Sequence, residues 1–291
     1  MILEQTEIKY KGKVIFERLV MSTNFKRVPK LFSEDEACFL FLTKGAFHFR
    51  TPTNFLTFKE GDAMLSKCGN YFMENVMLNQ KTEHQVISAI GAFFYPTMVK
   101  GFFQSDLAIQ PFQNNFDTTK ISIEPLMKSF IDSLNFMFDN PSIADENLIV
   151  TKLKELLLLL SKSENASSIN SFVNSLFVPF EYDFKDIIQN NIYSNLSIIE
   201  LAQLSNLSLP TFKRKFAELY KVSPAKYILE NKLEKSIHLL QFKTKQIAEI
   251  AYECGFETVS NFDKAFKRQF GKSPSEYRLS QKDKGSNRKE N

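Results

Sequence analysis

The chain has 291 residues, of which 43% are hydrophobic, and its formal net charge at pH 7 is +4. This length and composition predict two or three packed domains. The three cysteines, Cys38, Cys68 and Cys254, lack the close spacing of a disulfide framework or a zinc site, so we expect reduced, buried thiols. The first residues lack a signal-peptide pattern, and the apolar run 156–160 is far shorter than the ~20 residues of a membrane span. We therefore expect a cytoplasmic protein that does not contact a membrane.

Short β-rich segments occupy the first part of the chain. The segments 38–52 and 54–72 are rich in Phe and Leu, and Gly45, Gly61 and Gly69 interrupt them as turns between strands would. This pattern predicts a barrel or a sandwich of strands over about the first 115 residues.

The hydrophobic period changes after these strands. Apolar residues recur at helical spacing through 126–137 and 148–160, with a break at Asn140-Pro141, so the sequence predicts two helices. Their broad apolar faces fit either a dimer interface or an intramolecular core, and we favour the dimer interface. The polar, Ser-rich stretch 161–171 predicts a loop or linker.

The carboxy-terminal part of the chain contains a repeat. The segment TFKRKFAELYKVSPAKY (211–227) recurs fifty positions later within NFDKAFKRQFGKSPSEYR (261–278). The segment SIIELAQLSNLS (197–208) recurs as QIAEIAYECGFE (246–257), with a shift of forty-nine positions. A supersecondary unit that occurs twice is the first explanation to test for such a pattern.

Each copy carries the signals of a helix, a tight turn and a second helix. Ser197 and Glu200 form a capping box that starts the first helix. Asn206 and Gly255 each lie four residues after an alanine, and both residue types readily adopt the left-handed backbone that ends a helix. The sequence therefore predicts one helix-turn-helix unit in each copy.

The second helix of each unit is predicted to present a polar, mostly basic face. At about 100° per residue, Phe212, Phe216 and Leu219 form the buried stripe of the first copy, and Phe262 and Phe266 form that of the second. The outward face suits a helix placed in a DNA major groove, although an ordinary solvated helix face has the same pattern. The outward residues are Pro210, Lys213, Arg214 and Ala217 in the first copy, and Ser260, Asp263, Lys264 and Lys267 in the second.

The distribution of charge agrees with binding of a polyanion at this end of the chain. Residues 191–291 contain 18 Lys and Arg against 11 Asp and Glu, whereas the remainder contains 19 against 22. A basic domain is the expected electrostatic footprint of nucleic-acid binding. Between the two units, 225–241 predict one helix about 25 Å long, which could hold the recognition helices about one DNA turn, ~34 Å, apart.

Three motifs in this region are long and specifically spaced. They are L-A-x4-L-S-x3-F-x-R-x-F (201–216), I-A-x3-G-F-x5-F-x-K-x-F-K (250–267) and S-P-S-E-Y-R (273–278). With them, residues 184–279 resemble the DNA-binding domain of the AraC-type family of bacterial transcription regulators. The resemblance implies a two-lobed, seven-helix domain that binds promoter DNA in a sequence-specific manner.

The resemblance also implies which residues contact bases. Lys264 stands where the family usually has Arg, and Asp263 places an acidic residue on the groove face. Asp263 could accept a hydrogen bond from a cytosine amino group, or it could pair with Lys267 at i+4 and orient that lysine, which is the alternative we favour. The implied base contacts are Pro210, Lys213 and Arg214, followed by Ser260, Asn261 and Lys264.

For the front half, the resemblance implies a cupin-like β-barrel followed by dimerisation helices, and E-G-D-A-M-L (60–65) fits a cupin turn. A catalytic metal centre needs at least three protein ligands, and this half offers only His48 and His84, without an H-x-H pair. We therefore expect no metal and no cofactor, and we expect His48, between Phe47 and Phe49, at an outward position of a strand. The many phenylalanines permit an apolar effector cavity, but a packed core without a ligand fits them equally well.

The predicted fold class is α+β with two domains, a cupin-like β-barrel plus helices followed by an all-α double helix-turn-helix. We expect the barrel at 1–118, a helical dimerisation segment and linker at 119–180, the DNA-binding domain at 181–280 and a charged tail at 281–291. The expected function is sequence-specific DNA-binding transcription regulation, as an activator by the resemblance. Helices at about 209–220 and 258–270 would read two successive major grooves.

The expected partners are double-stranded promoter DNA, RNA polymerase and a second copy of the chain, and a small-molecule or protein effector is permitted. The alternative function is a ligand-binding sensor or a repressor whose front domain binds a small apolar molecule or a partner protein. An enzyme is not expected, because the sequence lacks paired catalytic carboxylates near a Gly-rich loop, Ser/His/Asp spacing and metal clusters.

Overall fold

The computed structural model describes residues 2–31, 36–67, 69–76, 86–102, 117–163, 169–177, 181–242 and 244–286. The chain divides into two compact units, Met1–Glu181 and Tyr182–Asn291. Within the described ranges, no helix is both long and apolar enough to cross a lipid bilayer.

The first unit begins with antiparallel strands, as the β-rich segments predict. The strands are β1 (Ile2–Tyr10), β2 (Lys13–Ser22), β3 (Arg27–Leu31), β4 (Ala37–Lys44), β5 (Ala46–Arg50), β6 (Phe55–Lys59), β7 (Ala63–Ser66), β8 (Asn70–Asn75), β9 (Val86–Phe94) and β10 (Thr118–Ile121). A short helix, α1 (Pro96–Phe102), follows β9.

These strands form two sheets, and the expected α+β fold class is confirmed. The larger sheet has the order β1-β2-β9-β4-β7-β10, and the smaller has the order β3-β8-β5-β6. Across the described residues the two sheets do not join into a closed barrel. Gly45 marks the passage from β4 in one sheet to β5 in the other. Its φ is +89°, and a Cβ there would lie 2.5 Å from the Val86 carbonyl oxygen, so the corner requires glycine.

Aromatic rings fill the core beside the smaller sheet. The centroids of Phe47 and Phe58 lie 5.4 Å apart in a stacked pair, and those of Phe49 and Tyr71 lie 5.2 Å apart. All four side chains are buried. His48 alternates with its two neighbours and is half-buried, with Nδ1 2.9 Å from the Thr57 hydroxyl oxygen. These rings therefore pack against one another in the described part of the core.

A buried carboxylate holds three strands of the smaller sheet together. Glu74 on β8 accepts from Arg50 Nε of β5 at 2.5 Å, and Arg27 Nε of β3 lies 3.0 Å from the same carboxylate oxygen. Burial alone raises the pKa of Glu74, but the two guanidinium groups outweigh burial and hold that pKa below its ordinary value. The Glu74 side chain is therefore ionised in the folded protein at neutral pH.

Three helices complete the first unit. They are α2 (Pro125–Asp139), α3 (Glu146–Ser163) and α4 (Ile169–Leu176), and a short 3-10 turn, Pro141–Ile143, separates the first two. The predicted break at Asn140-Pro141 is confirmed. The buried side chains of α2 and α3 pack into the same core as the larger sheet, so the broad apolar faces serve an intramolecular core.

The prediction of a loop at 161–171 is wrong at both of its ends. Helix α3 continues to Ser163, and α4 begins at Ile169. In α4, Val173 and Leu176 enter the core of the first unit. Tertiary burial therefore outweighs the low helix propensity of this Ser- and Asn-rich segment.

The second unit is helical throughout its regular structure. Its helices are α5 (Phe184–Asn191), α6 (Ile198–Leu204), α7 (Leu209–Tyr220), α8 (Pro224–Leu240), α9 (Ile247–Glu253), α10 (Val259–Phe270) and α11 (Pro274–Ser286). The predicted continuous helix at 225–241 corresponds to α8. Helix α11 extends into the segment predicted as a charged tail at 281–291, of which 287–291 lie outside the described residues.

Candidate nucleic-acid interface

The first helix-turn-helix unit consists of α6, a turn and α7. The predicted capping box at its start is confirmed: the Ser197 backbone N–H donates to Glu200 Oε2 at 2.7 Å, and the Glu200 N–H donates to Ser197 Oγ at 3.2 Å. Asn206 in the turn has a φ of +52°, which is the predicted left-handed conformation. Ser208 caps α7 by accepting from the Thr211 N–H.

The second unit, α9, a turn and α10, has matching geometry. The Gln246 N–H donates to Glu249 Oε2 at 3.0 Å, and Gly255 in the turn has a φ of +79°. Thr258 caps α10 by accepting from the Asn261 N–H at 3.1 Å. Our sequence interpretation missed the caps at Ser208 and Thr258, which their position immediately before each second helix could have indicated.

We call α5–α7 the first lobe and α9–α11 the second lobe. In the first, the Phe216 ring meets the Tyr227 ring edge-on at 5.6 Å, and in the second, Phe266 meets Tyr277 in the same way at 5.4 Å. These pairs are fifty positions apart, so the sequence repeat is also a repeat of packing. Helix α8 serves both lobes, since Tyr227 packs in the first core and Leu233 in the second.

The face of α7 that the sequence predicts for the major groove is exposed. Pro210, Lys213 and Arg214 are all exposed, as is Ala217, while Phe212 and Phe216 are fully buried. The helix therefore presents two positive charges outward from a rigid aromatic base, which is what contact with phosphates and base edges needs.

The face of α10 is similar. Ser260, Asn261, Lys264 and Lys267 are exposed, whereas Asp263 is half-buried. Within the described part of the chain, no ion pair joins Asp263 to Lys267. The structure therefore does not contain the i+4 pair that we favour from the sequence.

One predicted buried residue of α7 is misplaced. Leu219 is 39% exposed, and Tyr220 packs inward instead, with its ring 4.5 Å from both Phe216 and Tyr227. The reason is that α7 ends in a left-handed residue, Lys221, and α8 then covers the Tyr220 side of the helix. The repeat could have indicated this, because the equivalents of Leu219 and Tyr220 in the second copy are a glutamine and a phenylalanine, and only the second of these is apolar.

An apolar groove of about 960 Å³ adjoins the recognition face of the first lobe. It lies between the start of α6, the body of α7 and the start of α8. Lys213 and Lys221 contribute to its lining beside the apolar groups. The apolar lining residues are Ile198, Ile199, Leu209, Ala217, Val222, Pro224 and Ala225.

Among the described residues, no group of three or more His, Cys, Asp or Glu side chains could hold a metal ion. His84 and Cys68 lie outside the described residues, and Cys38 and Cys254 are buried, as predicted. Burial raises the pKa of Cys254 to about 11, so this thiol is protonated and unreactive at neutral pH.

Comparison with known protein families covers both units. Residues 201–280 match a family described as "Helix-turn-helix domain", and residues 37–172 match one described as "ExsA N-terminal regulatory domain". The predicted helix-turn-helix repeat lies largely inside the first match. The chain belongs to the AraC-type family. The resemblance drawn from the sequence motifs is therefore confirmed, and the second unit contains the helix-turn-helix domain of this family.

Curated AraC-type relatives are transcriptional regulators. The chain is 29% identical over 161 residues to "Virulence regulon transcriptional activator VirF" of Yersinia enterocolitica, which covers 54% of this chain and 58% of the relative. It is 31% identical over 140 residues to "HTH-type transcriptional activator RhaS" of Escherichia coli O139:H28, which covers 48% of each protein. The chain thus spans about half the length of the curated relatives it matches.

A solved structure of a DNA-binding domain also matches part of the chain. The DNA-binding domain of AdpA, "the global transcriptional factor, in complex with a target DNA", is 25% identical. The match covers 33% of this chain and 87% of that domain, with a TM-score of 0.31.

Proposed function

We propose that this AraC-type chain is a sequence-specific DNA-binding transcription activator that works in the cytoplasm without enzymatic activity. One observation carries the proposal: two helices, α7 and α10, end equivalent helix-turn-helix units and both present exposed basic side chains from buried aromatic bases. The length of α8, 17 residues or about 25 Å, supports contacts with successive major grooves on one side of the duplex. The relatives named as activators support the direction of regulation.

The proposed base contacts are Pro210, Lys213 and Arg214 on α7, and Ser260, Asn261 and Lys264 on α10, with Asp263 and Lys267 on the same face. RNA polymerase is the proposed partner on the promoter. The apolar groove beside α7 supports a protein contact at that place, because apolar side chains left in water favour burial by a partner.

Replacing Arg214 with alanine should weaken binding to the cognate site by about 1–3 kcal/mol, because a bidentate contact to a guanine is lost. Binding to random duplex should fall much less. The cognate site is obtained by selection from random duplexes with the full chain, and affinities are measured at several salt concentrations, since phosphate contacts give binding a steep salt dependence.

Lys215→Ala is the matched control for this substitution. It removes one positive charge from the same helix, but the Lys215 ammonium lies over the Phe184 ring at 4.8 Å, on another side of α7. We expect small and equal losses on both DNAs. Equal losses on both DNAs for Arg214→Ala would instead assign that residue to the phosphate backbone.

We further propose that the chain dimerises through the first unit. The buried faces of α2 and α3 are occupied internally, so the interface must use the apolar side chains that remain exposed. Leu126 and Phe136 are 69% and 60% exposed and fall within about 80° of each other around α2. Leu158 on α3 is exposed as well.

Phe136→Glu should convert the full chain from dimer to monomer, because a charge would be buried at the interface. Sedimentation across a micromolar range measures the change. Lys59→Glu adds the same charge at an exposed position on β6 of the smaller sheet, and it should leave the dimer intact. A wild-type chain that sediments as a monomer throughout this range would contradict the proposal.

Regulation by an effector is proposed to act on the same unit, which matches a regulatory-domain family.

A further inference from the structure

Helix α8 carries a lysine on its buried face. Lys232 is only 9% exposed and lies one helical turn from Ile228 and from Ser236, both of which are buried. Within the described residues no carboxylate pairs with its ammonium group. Burial lowers the pKa of Lys232 to about 8, because the apolar surroundings disfavour the charged form. A lysine is held in such a place only where specific acceptors offset the loss of water.

The acceptors of Lys232 belong to two different lobes. Its Nζ donates to the Ser194 carbonyl oxygen at 2.6 Å and to the Gly255 carbonyl oxygen at 2.8 Å. Ser194 lies in the loop that follows α5 in the first lobe, and Gly255 is the turn residue of the second helix-turn-helix unit. One side chain of the connecting helix therefore binds both lobes through backbone atoms.

A second lysine of α8 acts at the same junction. Lys235 Nζ donates to the Glu253 carbonyl oxygen at 3.0 Å and lies 4.2 Å from the centroid of the Tyr193 ring. The two loops themselves are in close contact, because a Cβ on Gly255 would lie 2.1 Å from the Tyr193 carbonyl oxygen. Positive charge at the carboxyl end of α9 also complements the helix dipole there.

We propose that Lys232 is a positioning residue that fixes α7 and α10 at one separation and orientation, and so determines the spacing of the two DNA contacts. This inference rests on the proposed function. A backbone carbonyl cannot move away as a side chain can, so a charge-assisted bond to each lobe holds the lobes in register. Two contacts on a rigid frame bind as one unit, whereas loosely joined contacts tolerate a change of spacing.

The test compares the full chain with its K232M, K232R and K226M variants. Lys226 is the matched control, because it is exposed on the same helix and its ammonium group lies 3.9 Å from the Glu230 carboxylate. The probes are the duplex that the wild-type chain selects from random DNA, the same duplex with one base pair inserted between its two contacted segments, and duplexes that keep one segment only.

For the wild type we expect the insertion to weaken binding at least tenfold, whereas for K232M we expect a loss of about threefold or less. K232M should bind the selected duplex about tenfold more weakly than the wild type but each single-segment duplex within about twofold. K232R, which keeps the donors, and K226M should behave as the wild type. Equal losses by K232M on selected and single-segment duplexes, or an undiminished insertion penalty, would overturn the proposal.

A measurement without DNA separates this inference from the proposed function. Spin labels at Glu218 on α7 and Gln269 on α10, both exposed, report the distance between the recognition helices in the full chain. We expect one narrow distance distribution for the wild type and K226M, and one at least about twice as broad for K232M. If K232M does not fold, Lys232→Gln takes its place. A distance distribution as narrow in the folded variant as in the wild type would contradict the positioning role. Failure of the wild-type chain to select any duplex would contradict only the proposed function.

Discussion

Replacing Gly255 with alanine is expected to destabilise the second unit by about 3–5 kcal/mol, the largest loss we expect from one added methyl group. Two costs add. Alanine is strained at a φ of +79°, and its Cβ would lie 2.1 Å from the Tyr193 carbonyl oxygen and 2.9 Å from that of Ser194. Hydrogen exchange of peptides from α9 to α11, measured in the full chain, reports the change in local free energy of unfolding.

Gly271 provides a matched control for the strain alone. Its φ is +73°, and nothing lies within 4 Å of the Cβ that alanine would add. Gly271→Ala should therefore cost only about 1 kcal/mol, from the left-handed backbone. A similar loss for both variants would show that the close contact between the two loops does not occur in solution.

Replacing Phe216 with alanine should destabilise the first lobe by about 3–5 kcal/mol, because it leaves a cavity in a fully buried site. Phe216 is 0% exposed and contacts the rings of Phe184, Phe212, Tyr220 and Tyr227. Hydrogen exchange of α6 and α7 measures the loss, and binding of the selected duplex should fall with it.

Leu219→Ala serves as the control on the same helix. Because Leu219 is partly exposed, its truncation should cost less than about 1 kcal/mol. A loss of stability for Leu219→Ala as large as that for Phe216→Ala would indicate that Leu219 is buried as the sequence predicts, and it would contradict the inward packing of Tyr220.

Local signals in the sequence were sufficient for the helix-turn-helix units. The capping pair Ser197 and Glu200, and the turn residues Asn206 and Gly255, act through bonds and backbone angles within a few positions of one another. The repeat doubled each signal. The same locality explains why the break at Asn140-Pro141 was predictable, since a proline in a helix interior lacks the backbone donor and clashes with the preceding turn.

Features that depend on distant packing could not be predicted in this way. A periodic pattern places Leu219 and Tyr220 on neighbouring parts of one face, and only the path of α8 decides which is covered. Lys232 shows the same limit, because its two acceptors lie 38 and 23 residues away in the sequence.

The helices of the first unit show a related limit of hydrophobic pattern. A broad apolar face predicts that a helix surface is buried, but it does not indicate which partner covers that surface. Met127 and Phe130 of α2 prove to be buried against the larger sheet of the same chain. Only the apolar side chains that stay exposed, such as Phe136, are available for a second copy.

The central claim is that one chain reads DNA with two equivalent recognition helices. Hydroxyl-radical footprinting of the full chain on its selected duplex tests it most directly. The account predicts two protected patches on one face of the duplex, about 10 base pairs apart for each bound chain. Arg214→Ala should weaken one patch and Lys264→Ala the other. A single patch that responds to Arg214→Ala and not to Lys264→Ala would contradict the claim.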